Sequence, residues 1–379
     1  MSIPGGRRRT ARLALVYTGA LVAGYLLDRL GVPLPWMIGP MLVSAGAAIA
    51  GRMERPPVMT RSIGQTIVSG SVGLYFTGQA LEAMAAQFGA MIAVALSTIL
   101  AGFLVAALLM RLVRIDVISA CLCSIPCGPV ETAQLAERYG VPPAPVAFAQ
   151  IMRVAFLVLT IPPVVVWLTP GGGGPVGPMI PTVEGAVGSA TMLAIAICGG
   201  QVFKRLRLNS PYFLGGLAFV ALASTLEVPM APLPFPVLAA GQVLLGVWLG
   251  GMFDRRILAS SRDFAGAAVI STVSLLVLCF GMAAALVWSA DMPWQAAVLA
   301  TAPGSTTEMA LTAKILQIDV ALVTAFHVTR IFIILPFAPL IFAGVHRVTG
   351  VSPGGTAAPA EPTAAAPATG CKSDRGGKG

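Results

Sequence analysis

The chain is internally duplicated, and the two copies carry polar residues in register. The segment Pro126–Glu131 corresponds to Pro303–Glu308 at a separation of 177 residues (303 − 126). The same separation relates a polar pair in each half, Gln150 and Arg153 in the first and His327 and Arg330 in the second. Apolar sequence aligns readily by chance, whereas Pro, Glu, Gln and Arg do not. We therefore interpret the register as a duplication, an organisation common among secondary transporters.

Composition places this duplicated chain in a membrane. Only 10% of its residues are charged and 56% are hydrophobic, against roughly 25% charged residues in a soluble domain. Twelve apolar runs are visible, six in each half, and they lie near 12–28, 34–50, 62–82, 86–110, 117–135, 142–168, 184–203, 210–226, 236–253, 264–288, 295–314 and 318–345. Runs of this length and number predict an all-α integral membrane protein.

The basic residues between the runs indicate how many of them cross. They cluster at 52–61, 111–116, 204–207 and 255–262. Twelve full crossings would place the last two clusters outside, against the positive-inside rule. If the segments 117–140 and 295–316 instead enter and leave the membrane on the same side, every basic cluster lies in the cytoplasm. We therefore predict two inverted repeats, each of about five transmembrane helices plus a re-entrant or broken helix. Twelve crossings and discontinuous helices are the alternatives.

These repeats define the expected organisation of the chain. We predict a basic cytoplasmic N-terminus at 1–11, membrane repeats at 12–168 and 184–345, a Gly/Pro linker at 169–183 and a disordered cytoplasmic tail at 346–379. No small-residue cleavage site closes the first apolar run, so it is interpreted as an uncleaved span. The expected location is the bacterial inner membrane, with both termini in the cytoplasm.

Each predicted hairpin contains residues that interrupt a helix, Pro126 and Gly128 in the first and Pro303 and Gly304 in the second. Proline removes a backbone donor and clashes with the preceding turn. Non-helical backbone at membrane depth survives where protein or a water-filled cavity satisfies it. The breaks therefore favour re-entrant tips that line a cavity. A simple kink in a packed helix is the alternative.

A glutamate follows each break, and an arginine follows each glutamate by 22 residues (153 − 131 and 330 − 308). Charged side chains near mid-membrane are costly, so they face a partner or a cavity. One interpretation is that Glu131–Arg153 and Glu308–Arg330 are structural ion pairs. The other is a central substrate site, which would comprise Pro126, Gly128, Glu131, Gln150, Arg153, Pro303, Gly304, Ser305, Thr306, Thr307, Glu308, His327 and Arg330. The hydroxyls at 305–307 predict more polar contacts from the second half.

Other chemistry has little support in the sequence. The six cysteines and two histidines do not form a metal-binding spacing, and neither a metal nor a cofactor is expected. The net charge of +9 lies in loops between apolar runs, which suits an anionic lipid surface better than nucleic acid. Direct nucleic-acid binding is not expected.

The chain resembles the membrane AbrB family of Gram-negative bacteria, a family distinct from the soluble DNA-binding AbrB. The resemblance rests on the P-W-M-I-G-P block at 35–40, the pairs Gly64-Gln65 and Gly241-Gln242, and the two P-x(4)-E hairpins. Members carry the labels ammonia monooxygenase and regulator of gene expression. The resemblance implies a duplicated membrane protein, and neither label implies a defined site.

Together these features predict a secondary transporter for a small, anionic organic solute, working by alternating access between the repeats. Coupling to H+ or Na+ is expected, with a glutamate or His327 as the proton carrier. The lipid bilayer is the expected surrounding, and a homo-oligomer is a further candidate assembly. The alternative is a membrane-embedded regulator that senses a ligand. An enzyme, specifically a monooxygenase, is not expected because two histidines are too few for a typical copper or di-iron centre.

Overall fold

The computed structural model describes residues 4–126, 128–169, 183–208, 210–253, 255 and 262–349 of the 379. This part of the chain is helical and contains no strand. The first half forms α1 (Pro4–Arg29), α2 (Pro35–Ile49), α3 (Val58–Gly73), α4 (Gly78–Ala86), α5 (Phe88–Leu112), α6 (Val117–Ser124), α7 (Pro129–Arg138) and α8 (Pro143–Leu168). The second half forms α9 (Val183–Arg205), α10 (Pro211–Thr225), α11 (Phe235–Gly251), α12 (Arg262–Ala290), α13 (Trp294–Thr301), α14 (Thr306–Ile315) and α15 (Val320–Thr349).

The helices have the length and composition of a membrane protein. Four long apolar segments can cross a bilayer, and they lie at Phe88–Leu112, Pro143–Leu168, Gly185–Arg205 and Phe264–Ala290. Four shorter apolar helices accompany them, at Pro35–Ile49, Pro211–Thr225, Phe235–Gly251 and Val320–Ile334. The predicted all-α membrane class is confirmed. The predicted linker at 169–183 and tail at 346–379 lie almost entirely outside the described residues.

The order of the helices is duplicated in the same register as the sequence. The short pair α6 and α7 matches α13 and α14 residue for residue at a separation of 177 (294 − 117 and 306 − 129). The flanking helices correspond as well, α2 to α10, α3 to α11, α5 to α12 and α8 to α15. The counterpart of α4 at the same separation is 255–263 (78 + 177 and 86 + 177), most of which lies outside the described residues.

The two halves interlock through equivalent glycines. A Cβ atom placed on Gly250 of α11 would lie 2.1 Å from the Oγ of Ser44 in α2, and one on Gly73 of α3 would lie 2.7 Å from the Cβ of Val220 in α10. Ser44 and Val220 are themselves equivalent (220 − 44 = 176). Each half therefore supplies the same contact to the other, and only a residue without a side chain permits the approach.

The equivalent helices α3 and α11 cross each other in opposite directions. A Cβ on Gly64 would lie 3.0 Å from the carbonyl oxygen of its counterpart Gly241. Three residues before Gly64, the Arg61 guanidinium lies 4.8 Å from the ring centroid of Trp248, which comes after Gly241 in the chain. Because earlier residues of α3 face later residues of α11, the two helices are antiparallel. Their crossing point is the Gly64–Gly241 contact.

The loops that carry basic residues gather at one end of the bundle. The Arg255 Nη1 atom would lie 3.8 Å from a Cβ on Gly51, so the loop after α2 meets the chain after α11. Ile115 and Phe253 pack into one hydrophobic cluster, which adds the loop after α5. Helix α10 runs parallel to α3, so the loop after α9 lies there too. We call this the basic end, defined by Arg52, Arg114, Arg207 and Arg255.

Candidate functional site

Each hairpin breaks directly before its first proline. Helix α6 ends at Ser124, and Ile125 is extended at φ −65°, ψ 126°. Helix α13 ends at Thr301, and Ala302 is extended at φ −50°, ψ 134°. The residue before a proline is driven out of the α conformation by contact with the proline Cδ. The sequence therefore fixes both breaks locally, and the predicted interruption of the two helices is present.

The first hairpin returns to the end of the bundle at which it began. The Nε2 atom of Gln150, early in α8, donates to the carbonyl oxygens of Leu122 and Ile125 at 2.7 and 3.0 Å. Arg153, one turn further along α8, reaches Cys123 and Ser124, so α6 and α8 run in the same direction and begin at the same end. Helix α7 must lead the chain back there, to the basic end.

The second hairpin begins at the opposite end. Helix α12 starts near the basic end, and its last residue, Ala290, accepts a hydrogen bond of 3.4 Å from the side chain of Gln87, directly before α5. Helix α13 therefore starts far from the basic end. His327 and Arg330 of α15 contact Leu299 of α13 and Ala302 directly after it, which repeats the geometry of the first hairpin.

Arg153 binds the carbonyl groups that the first break leaves open. Its Nη1 atom donates to the carbonyl oxygens of Cys123 and Ser124, at 3.4 and 3.0 Å. Its Nη2 atom donates to the carbonyl oxygen of Ile125 at 3.3 Å and to the Oε1 atom of Gln150. The last carbonyls of a helix have no partner within it, so a buried helix end requires donors from elsewhere. The guanidinium group supplies them.

Arg330 does the same at the second break. Its Nη1 atom donates to Ala302 O at 2.9 Å, and its Nη2 atom donates to Gly304 O at 2.7 Å. Nη2 also contacts the Nδ1 atom of His327 at 2.8 Å. Arginine has no acceptor, so Nδ1 is the acceptor and carries no proton. The Nε2 atom of His327, 2.9 Å from Leu299 O, then carries the proton and donates it to that carbonyl.

Gln150 and His327 therefore have the same role, although one is an amide and the other an imidazole. Each accepts a hydrogen bond from the arginine three residues later and donates one to a leucine carbonyl, Leu122 or Leu299. The carbonyl-binding role of the arginines was in neither interpretation of the sequence. His327 is held neutral in this conformation, which does not favour it as the proton carrier.

The two glutamates occupy equivalent positions in the first turns of α7 and α14. Glu308 is buried at 7% exposure, and the side chain of Glu131 lies outside the described residues. The interpretation of Glu131–Arg153 and Glu308–Arg330 as ion pairs stays a prediction. The Thr301 hydroxyl, at the end of α13, donates to the Cys279 carbonyl oxygen of α12 at 3.0 Å, so the second hairpin packs against α12.

The N-terminus of α14 is the most polar part of the second hairpin. Ser305 occupies the N-cap position and makes no capping hydrogen bond with its side chain. The Oγ1 atom of Thr306 is buried and has no hydrogen-bond partner within the described part of the chain. Thr307 accepts a hydrogen bond of 3.5 Å from Gln65 Nε2 of α3. The first hairpin has Gly128 and Pro129 at the corresponding N-cap and first helical positions, so the two hairpins differ in the hydroxyl groups that they offer there.

Two side chains of this site were not predicted from the sequence. Gln65 was named only in a Gly-Gln pair that carries the family resemblance, yet its amide reaches Thr307 from the other half. Lys314, in the last turn of α14, donates from Nζ to the Ser71 carbonyl oxygen at 3.1 Å and lies 5.5 Å from the centroid of the Tyr75 ring. A lysine at the end of the run at 295–314 was the only available signal. Both contacts tie the second hairpin to α3.

The site is closed in this conformation. Gln65, Thr307 and Arg330 are 4%, 3% and 3% exposed. Among the described residues, no three His, Cys, Asp or Glu side chains lie together as a metal site would require. The chemistry available is hydrogen bonding and electrostatics, from helix ends, hydroxyls, an amide and one carboxylate.

Sequence similarity to known proteins extends over most of the chain. The family model described as "Transition state regulatory protein AbrB" matches residues 36–346, which is most of the chain and includes both hairpins. The chain belongs to the AbrB family. It is 27% identical over 324 residues to "Putative regulator AbrB" of Escherichia coli (strain K12), an alignment that covers 85% of this chain and 92% of that protein. It is 24% identical over 353 residues to "Uncharacterized protein YhjN" of Bacillus subtilis (strain 168), with 86% and 91% covered.

Proposed function

We propose that this protein is a secondary transporter of the bacterial inner membrane, which carries a small, anionic organic solute by alternating access between two inverted repeats. The observation that carries the proposal is the pair of broken hairpins, which enter the bundle from opposite ends and are held by equivalent arginines. Broken helices at mid-membrane are how transporters place backbone groups around a solute.

The inversion is supported by the direction of equivalent helices. A twofold axis that relates antiparallel partners such as α3 and α11 lies perpendicular to them, and hence in the membrane plane. The gathering of Arg52, Arg114, Arg207 and Arg255 at one end agrees with the positive-inside rule. The basic end is accordingly assigned to the cytoplasm.

The solute site is assigned to the N-terminus of α14. The first turn of a helix presents unpaired backbone N–H groups and a partial positive charge, which favour an anion. Thr306 and Thr307 add hydroxyl groups, and Gln65 contributes an amide from α3. Arg153 and Arg330 bind carbonyl groups here, so we assign them to positioning the hairpins rather than to gripping a carboxylate.

Glu308 supplies a route for coupling. A carboxylate and a bound anion within one helical turn repel each other in a buried site, where the effective dielectric constant is low. Binding of H+ or Na+ at Glu308 would relieve that repulsion, so solute and cation would enter together. The closed site then corresponds to an occluded state between two open ones.

Transport is tested with the full chain in proteoliposomes, by measuring uptake of small carboxylates under imposed H+ or Na+ gradients. Thr306→Val should reduce uptake, because it removes the buried hydroxyl at the helix N-terminus. Thr98→Val is the matched control, since Thr98 is also buried but bonds the Val94 carbonyl of its own helix at 2.6 Å. Equal uptake by Thr306→Val and Thr98→Val would contradict the site assignment.

A membrane-embedded regulator is the second candidate, favoured by the name of the Escherichia coli relative, "Putative regulator AbrB". In that case the same closed site would sense the solute without passing it across the bilayer. Specific solute binding without flux under any gradient, together with a transcriptional response that Thr306→Val abolishes, would support the regulator and contradict the transporter.

A further inference from the structure

A groove on the outer surface of the bundle, away from the hairpins, combines an apolar floor with arginines at one end. It lies between α1 and α2, has a volume of about 580 Å³, and is lined by Arg12, Leu15, Val43, Gly46, Gly51 and Arg52 among others. A volume of this size is within the range that holds a small molecule. The glycine contacts between the two halves do not involve this groove.

The arginines of the groove lie at the basic end of the bundle. Arg12 and Arg52 are both exposed, so their guanidinium groups are available to a ligand. A third cation is close, because Arg255 Nη1 would lie 3.8 Å from a Cβ on Gly51, which lines the groove. Three guanidinium groups around one spot match an anionic group with several oxygen atoms, such as a phosphate.

The rest of the groove is apolar and leads away from this charge. Val43 lies about two helical turns, or roughly 10 Å, before the end of α2. Leu15 and Val16 face it from α1. Gly46 keeps the floor open, since a Cβ placed there would meet no atom within 4 Å. A free phosphate would use only the arginine end, whereas a lipid would fill both parts.

We propose that this groove binds an anionic phospholipid. The phosphate would lie between Arg12 and Arg52 near Arg255, and one acyl chain would run along Leu15, Val43 and Gly46. Basic pockets between membrane helices on the cytoplasmic side recognise lipid headgroups in this way. The inference does not depend on transport, because it uses neither hairpin.

The test is native mass spectrometry of the purified full chain, titrated with phosphatidylglycerol, phosphatidylcholine or inorganic phosphate. We expect a bound phosphatidylglycerol, weaker phosphatidylcholine and no retained phosphate. The double variant Arg12→Gln/Arg52→Gln should weaken phosphatidylglycerol binding by about tenfold or more. The control Arg114→Gln/Arg205→Gln removes two exposed charges of the same end outside the groove, and it should bind like the unmodified chain.

Gly46→Leu separates the lipid from other occupants. A leucine side chain would fill the floor that the acyl chain needs, while both arginines remain, so phosphatidylglycerol binding should fall. A melting temperature near that of the unmodified protein would show that the variant is folded, and Ala47→Leu is the second choice if it is not. Equal binding of both lipids, equal loss in the charge control, or undiminished lipid binding with Gly46→Leu would each overturn the proposal. If Gly46→Leu leaves lipid binding undiminished but changes the oligomeric state, the groove is assigned to a second copy of the chain.

Discussion

His327 Nδ1 accepts a hydrogen bond of 2.8 Å from Arg330 Nη2, and this contact determines the protonation state of the imidazole. A guanidinium group cannot accept, so the histidine must be neutral with its proton on Nε2. Gln150 meets the same two requirements with an amide oxygen and an amide nitrogen. The equivalence of glutamine and histidine at this position therefore has a physical cause: both side chains accept at one atom and donate at another.

The first prediction exchanges these residues. His327→Gln should preserve folded yield and melting temperature, because glutamine offers an acceptor to Arg330 and a donor to Leu299. His327→Leu should destabilise the protein by about 1–3 kcal/mol, since a buried carbonyl loses its partner. Thermal unfolding in detergent measures both, with Gln150→His and Gln150→Leu as the matched pair in the first half. A leucine variant as stable as the glutamine variant would contradict the shared role.

The second prediction concerns the arginines. Arg330→Ala should lower folded yield, because Ala302 O and Gly304 O each lose a buried donor at about 1–3 kcal/mol. The double variant Glu308→Ala/Arg330→Ala should have a folded yield as low as that of the single variant, since the groups left without a donor are backbone carbonyl groups. Size-exclusion yield after solubilisation is the measurement. Full recovery in the double variant would instead identify a structural ion pair as the main partner.

The third prediction concerns the interlocked halves. Gly250→Ala places a Cβ about 2 Å from Ser44 Oγ and Met41 O, so α11 and α2 must separate, at a cost of about 1–3 kcal/mol. Gly281→Ala is the control, because a Cβ in the middle of α12 meets nothing within 4 Å. The control should be neutral or slightly stabilising, since alanine is the better helix former. Thermal unfolding distinguishes the two, and similar curves would refute a tight interface.

The fourth prediction concerns the basic end. Single cysteines at Arg52, Arg114, Arg207 and Arg255, in a background without the native cysteines, should resist a membrane-impermeant thiol reagent added outside cells. Cysteines at Leu30 and Glu227, which follow helices leading away from the basic end, should react. External labelling of Arg207→Cys or Arg255→Cys would instead support the topology with twelve transmembrane crossings.

The sequence predicted the features that depend on neighbouring residues. Both helix breaks follow from Pro126 and Pro303, because a proline constrains the residue before it. Gly73 and Gly250 permit a close approach of helices because they have no side chain, and that property is visible in the sequence.

Contacts that depend on distant residues could not be predicted. Lys314 meets a backbone carbonyl of Ser71, and every residue has such a carbonyl, so no side-chain pattern marks the partner. The backbone partners of Arg153 and Arg330 were missed for the same reason. Both arginines donate to carbonyl oxygens at a helix end that is buried away from water, and no side-chain pattern marks such acceptors.

The reciprocal glycine contacts have a consequence for how the protein is made. Helix α2 packs on α11, and α3 packs on α10, so neither half can complete its own core. The ribosome finishes α2 about two hundred residues before α11 exists, and during that interval the glycine-lined faces of the first half have only lipid against them. The first half must therefore remain in the membrane without its packing partner until the second half has been synthesised.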